Sequence, residues 1–179
     1  DIDYNLTRTA FEKLGVFAFD DMYSQAIADK LFQKLETGEI AGTIFFEEFN
    51  RCTGLHLSPS EITKSWNAML LSFREESLQY LGQLRSGYKI FLLSNTNYIH
   101  LNEIKKIFHL KPRDRNFEAY FDKAFYSCEI GLRKPDAACY QWTIRESGIN
   151  PEQTLFIDDS AHNIEAAQKA GLQTIHLSS

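Results

Sequence analysis

The chain predicts an α/β fold: a doubly wound, Rossmann-like parallel sheet with an inserted four-helix cap. Three observations carry this. Helical periodicity alone runs from the start to about residue 75. Short apolar runs then alternate with helical patterns to the end, as parallel βαβ units do. Polar residues follow three of the apolar runs immediately, where α/β sheets bind their ligands.

The helical half reads in order. Leu6 to Leu14 is a helix stopped by Gly15. Asp21 to Leu35 is a second, with Met22, Ala26, Ile27, Leu31 and Leu35 on related faces and Gly38 just beyond. Thr43 to Cys52 is a third, with Phe45, Phe46 and Phe49. The fourth opens on Ser58-Pro59-Ser60-Glu61, a capping box with proline at the first helical position. Its stripe of Ile62, Trp66, Met69 and Leu70 reads as bundle core. We expect residues 1–74 to form the cap and 75–179 the core.

In the second half, Glu75 to Arg85 is helical and Tyr88 to Leu93 is a strand ending in Ser94-Asn95-Thr96-Asn97. A helix near His100 to Phe108 follows, then a short helix at Phe117 to Phe121 and a strand from Ala124 to Ser127. Pro135 to Ser147 is a helix stopped by Gly148. Thr154 to Ile157 is a buried strand, Ala161 to Ala170 a helix stopped by Gly171, and Thr174 to Leu177 the last strand.

Composition narrows the function. A chain of 179 residues that is 44% hydrophobic can build one domain, or one with a modest insertion. A net charge of -5 argues against nucleic acid as a partner. No apolar run approaches the ~20 residues that span a bilayer, and no leader pattern is seen, so neither membrane nor secretion is indicated. Cys52, Cys128 and Cys139 lack metal-type spacing and read as reduced thiols of a cytoplasmic protein. Cys128 has no histidine marked out as its base.

Phe156-Ile157-Asp158-Asp159-Ser160 is the most informative string. Adjacent carboxylates repel, and leaving both charged needs a cation; oxygen ligands of this kind suit Mg2+. A plain helix cap is the alternative for an Asp pair. Ser94 and Lys134 lie at comparable places after their own strands, 40 (134 − 94) and 24 (158 − 134) positions apart. Singly, Ser94-Asn95 could be a turn, Lys134 a solvated lysine and Asn163 a surface residue. Jointly, a hydroxyl, an ammonium and an acid pair supply what a phosphoryl group needs.

Leu92-Leu93-Ser94-Asn95-Thr96, Gly131-Leu132-Arg133-Lys134-Pro135 and Phe156-Ile157-Asp158-Asp159-Ser160 with Asn163-Ile164 resemble motifs two to four of the haloacid dehalogenase-like (HAD) hydrolase superfamily. The branch most similar holds small sugar-phosphate phosphatases, among them bacterial α-glucose-1-phosphate phosphatases. Glu36-Thr37-Gly38-Glu39-Ile40 with Phe46-Glu47-Glu48-Phe49 looks like that branch's cap. The resemblance implies Ser94, Asn95 and Lys134 as phosphate binders, Asp158 and Asp159 as Mg2+ acids, and Asn163 as their support. It further implies that Asp159 is the direct metal ligand and Asp158 the water-mediated one.

The family's first motif, a strand ending in the nucleophilic Asp before a glycine-rich turn, has no counterpart in the chain. Asp1, Asp3 and Asn5 resemble the segment just downstream of it. The nucleophile is therefore expected upstream of Asp1, and these 179 residues alone are expected to be inactive. The expected function of the complete protein is a Mg2+-dependent phosphomonoesterase acting through an aspartyl-phosphate on a small phosphorylated metabolite. The competing reading is a catalytically dead or regulatory phosphate-binding relative. A two-component receiver domain has similar parts in the reverse order, and a dehalogenase would not need the acid pair.

Overall fold

The computed structural model describes residues 1–17, 26–112 and 116–177. Helix α1 (Tyr4–Glu12) starts where the Asp3 carboxylate accepts a hydrogen bond from Asn5 N at 3.0 Å. It ends before Gly15, whose φ of 90° few other residues adopt. Helix α2 is seen over Ala26–Glu36; the predicted start at Asp21, with Met22, lies outside the described residues. Helix α3 spans Gly42–Thr53 and α4 spans Pro59–Asn67. The predicted capping box of α4 is formed, with Ser58 and Glu61 bonding each other's main chain.

These helices bury one core, built on Phe11, Phe32, Phe45, Phe49, Ile62 and Trp66. Each such side chain contributes about 1.5–3 kcal/mol by leaving water. The predicted stripe of α4 lies in this core, where Trp66 stacks on Phe32 with ring centroids 4.7 Å apart. The start and end of the helical region are tied together: Asp3 N donates to Met69 O, Leu71 N donates to Asp1 O, and Ile2 bridges Leu70 antiparallel.

The second half contains α5 (Glu75–Leu84), β1 (Phe91–Ser94), α6 (Tyr98–His109), β2 (Lys123–Tyr126), α7 (Ser127–Ile130), α8 (Ala137–Ser147), β3 (Leu155–Asp158), α9 (Ala161–Lys169) and β4 (Gln173–His176). Strand β1 begins three residues later than the apolar run suggests (91 − 88 = 3), because Tyr88 N still bonds Leu84 O at the end of α5. Helix α7 was not legible in the sequence. It is a single turn of four residues, closed by Gly131 at φ 71°, and shows no period.

The sheet is parallel, and it is divided. β1 pairs with β2 in the register Ser94 to Tyr126, and β3 pairs with β4 in the register Asp158 to His176. Among the described residues no strand bonds one pair to the other. The pairs share a cover: Leu93 of β1 and Phe156 of β3 pack in the same cluster around Tyr140 of α8. The carboxyl ends of β1 and β3 are thereby brought to one side of the molecule, with a gap between their backbones.

Candidate active site

Asn95, one residue past β1, spends both side-chain heteroatoms on one neighbour. Its Nδ2 donates to Lys134 O at 2.8 Å and its Oδ1 accepts from Lys134 N at 2.9 Å. The amide bracket fixes the Lys134 main chain. The Asn95 side chain thus holds the lysine main chain.

The Lys134 side chain is 11% exposed, and its Nζ donates to Asp158 Oδ2 at 2.7 Å. Asp158 Oδ1 accepts from Ser160 N and from Asn163 Nδ2, both at 2.9 Å. Asn163 is oriented in turn by Tyr140, whose hydroxyl donates to its carbonyl. Burial opposes charge on Asp158, but the Lys134, Asn163 and Ser160 donors together hold its pKa below the ordinary carboxylate range. An ammonium has three N–H donors, and one is used here, so the lysine is fixed in place with capacity left for an anion.

The two acids at the end of β3 thus divide their work. Asp158 accepts three protein donors and is neutralised by Lys134, while Asp159 is exposed. The repulsion expected from the sequence is relieved for Asp158 by the lysine, and the case for a metal rests on Asp159. Among the described residues no three His, Cys, Asp or Glu groups converge as a closed metal cage. Mg2+ commonly takes one or two carboxylates and completes its shell with water and phosphate. Asp159 beside an anchored Asp158 fits an open site of that kind.

Ser94 stands half-buried at the end of β1. It lines a mainly apolar cavity of about 190 Å³ with Leu70, Phe73, Leu92, Ile104 and Tyr126. Asp1 lines the same cavity and pairs with Arg74 at 2.6 Å, while Asp3 caps α1. The buried thiols of Cys128 and Cys139 are both pushed up to about 11 by burial, which removes them as nucleophiles near neutral pH.

Helix α6 leaves this edge with Asn97 as its cap and carries His100 against the helical half. The His100 ring stacks on Trp66 at 5.0 Å, and its Nε2 lies 3.2 Å from Trp66 O, so the neutral ring carries its proton there. Burial pushes its pKa down to about 4. A histidine depressed from about 6.5 stabilises the fold above that value, and the contribution is lost as pH falls toward 4. Stability should fall by up to about 3 kcal/mol between pH 7 and pH 4 through this residue. His100→Gln, measured by urea unfolding, should flatten that part of the profile; an unchanged slope would refute the assignment.

Comparison with known proteins follows the same lines. A family model described as haloacid dehalogenase-like hydrolase matches residues 10–171. A D-ribitol-5-phosphate phosphatase of Bacteroides thetaiotaomicron is 29% identical over 175 residues, covering 97% of this chain and 84% of that protein. A sesquiterpene phosphatase of Aspergillus oryzae is 36% identical over 155 residues, 84% of this chain and 74% of that one. A crystal structure of a HAD family enzyme from Bacteroides thetaiotaomicron, in complex with magnesium and inorganic phosphate, superposes with a TM-score of 0.90 at 30% identity. The match covers 99% of this chain and 88% of that one.

Proposed function

Because the chain belongs to the haloacid dehalogenase-like hydrolases, we propose that it is the body of a Mg2+-dependent phosphomonoesterase for a small sugar or sugar-alcohol phosphate. One observation carries the reading. Asn95 and Asp158 at two strand ends, Lys134 in the loop after α7, and Asn163 on α9 form one hydrogen-bonded unit beside an exposed Asp159.

In this reading Lys134 offsets phosphate charge and Ser94 donates its hydroxyl to a phosphate oxygen, with the Asn95 main-chain N–H beside it. Asp159, with Asp158 behind it, would hold Mg2+, which when bound orients the phosphoryl group and offsets its charge. The nucleophilic carboxylate of this reading would stand beside Ser94 and Lys134 at the carboxyl edge of the sheet. There it would attack phosphorus and expel the alcohol, and water would then release phosphate. Residues 1–74 act as the cap that excludes water.

The similarity to a D-ribitol-5-phosphate phosphatase supports a hydroxylated alcohol as the ester's other half. Unpaired Cys52, Cys128 and Cys139 suit the reducing cytoplasm, and no helix among the described residues is long and apolar enough to cross a membrane.

The test is release of inorganic phosphate by the full-length protein from a panel of polyol, sugar and terpenyl phosphates, with and without Mg2+. Mg2+-dependent turnover favouring the polyol or sugar esters is expected. Phosphate binding without turnover of any ester would establish the competing, non-catalytic reading.

A further inference from the structure

Far from each other in sequence, Glu36 and Arg133 meet where the helical half touches the core. Arg133 Nη2 lies 3.1 Å from Glu36 Oε2, with the two side chains 27% and 18% exposed. Glu36 is the last residue of α2, and Arg133 directly precedes Lys134. Two residues on, Gly38 has φ 69°, and a Cβ there would stand 2.3 Å from Cys128 O of α7. Thr37 O would in turn lie 4.0 Å from a Cβ on Gly131. The turn after α2 is therefore seated backbone-to-backbone on the core, with an ion pair at its edge. The seat adjoins the site, since Arg133 directly precedes the buried Lys134.

We propose that the Glu36–Arg133 pair, with Gly38 seated on α7, is the bolt that holds the cap closed over the phosphate site. Both are positioning residues: they act on the alcohol end of the substrate through the cap. Lys134 does not depend on them, because Asn95 and Asp158 already fix it. Breaking the bolt therefore weakens capture of the whole ester while leaving the grip on free phosphate. A pair this far out of water is screened less than a surface pair.

This inference rests on the phosphatase reading only for its kinetic arm. In the full-length protein, Glu36→Gln should raise KM for a polyol phosphate about tenfold, with kcat changed less than about threefold, by lowering the closed population. The inhibition constant of inorganic phosphate should stay within about twofold, because the core pocket is untouched. Amide exchange across residues 36–40 should accelerate about tenfold, as expected for local opening. Arg133→Gln should match it, and the double variant should be no worse than either single one. Gly38→Ala, which forces the same seat apart without touching charge, should share the KM effect. Equal losses for phosphate and ester, additive effects in the double variant, or unchanged exchange at 36–40 would overturn the bolt. If the wild type turns over no ester, the functional reading fails, and the exchange and double-variant arms, read by unfolding, still decide the bolt.

Discussion

Lys134→Met is expected to abolish binding of inorganic phosphate and to lower stability by about 3 kcal/mol at neutral pH, the order seen when one partner of a buried pair is removed. The ammonium touches Asp158 at 2.7 Å in a pocket where the side chains are 11% and 7% exposed. Without it, the Asp158 carboxylate keeps two neutral donors, Asn163 Nδ2 and Ser160 N, and no counter-charge. Its pKa should rise, and acid should then stabilise the variant relative to wild type rather than destabilise it. Adding Asp158→Asn should recover most of the stability, because the orphaned charge is gone, but not phosphate binding. Urea unfolding separates the two effects from calorimetric titration of phosphate. A Lys134→Met protein that unfolds like wild type and still binds phosphate would show that the lysine is neither the counter-charge nor the anchor.

Asp159→Asn is expected to remove the response to Mg2+ while leaving the fold intact. The carboxylate is exposed, so the substitution leaves no buried charge behind. With free Mg2+ at ten times its dissociation constant in the presence of phosphate, wild type should gain about 1.4 kcal/mol. For a chain of this size that is a rise of about 3–6 °C in Tm. Asp159→Asn should shift by less than about 1 °C under the same conditions. Equal shifts in both proteins would remove Asp159 from the metal site.

Strand-end chemistry was the legible part of this molecule. Ser94 and Asp158 stand at strand ends, as the short apolar runs before them indicated, whereas Lys134 lies in the loop after α7, eight residues past β2 (134 − 126). The division of labour between them was not legible. That Asp158 takes Lys134 as its counter-charge, and that Asn95 brackets the lysine main chain, depends on loop paths that no periodicity encodes. The same holds for Glu36 and Arg133, which sit on different halves and meet only through the turn at Gly38. Element boundaries drifted where a helix end competed with a strand start, as at Tyr88, or where a single turn such as Ser127–Ile130 was too short to show a period. The helical half was read closely because caps and aromatic stripes are local signals: the Ser58–Glu61 box and the buried Ile62 and Trp66 stand where the pattern put them.

The central claim is that Lys134, Asp159 and the Ser94 turn form a single phosphate and Mg2+ site. Calorimetric titration of inorganic phosphate into the full-length protein tests it most directly, with and without Mg2+, in wild type, Lys134→Met, Asp159→Asn and an exposed control, Lys169→Met. The account predicts binding that Mg2+ strengthens in wild type and in the control, no binding in Lys134→Met, and binding indifferent to Mg2+ in Asp159→Asn. Phosphate binding that is equal in all four proteins, or that ignores Mg2+ in wild type, would contradict it.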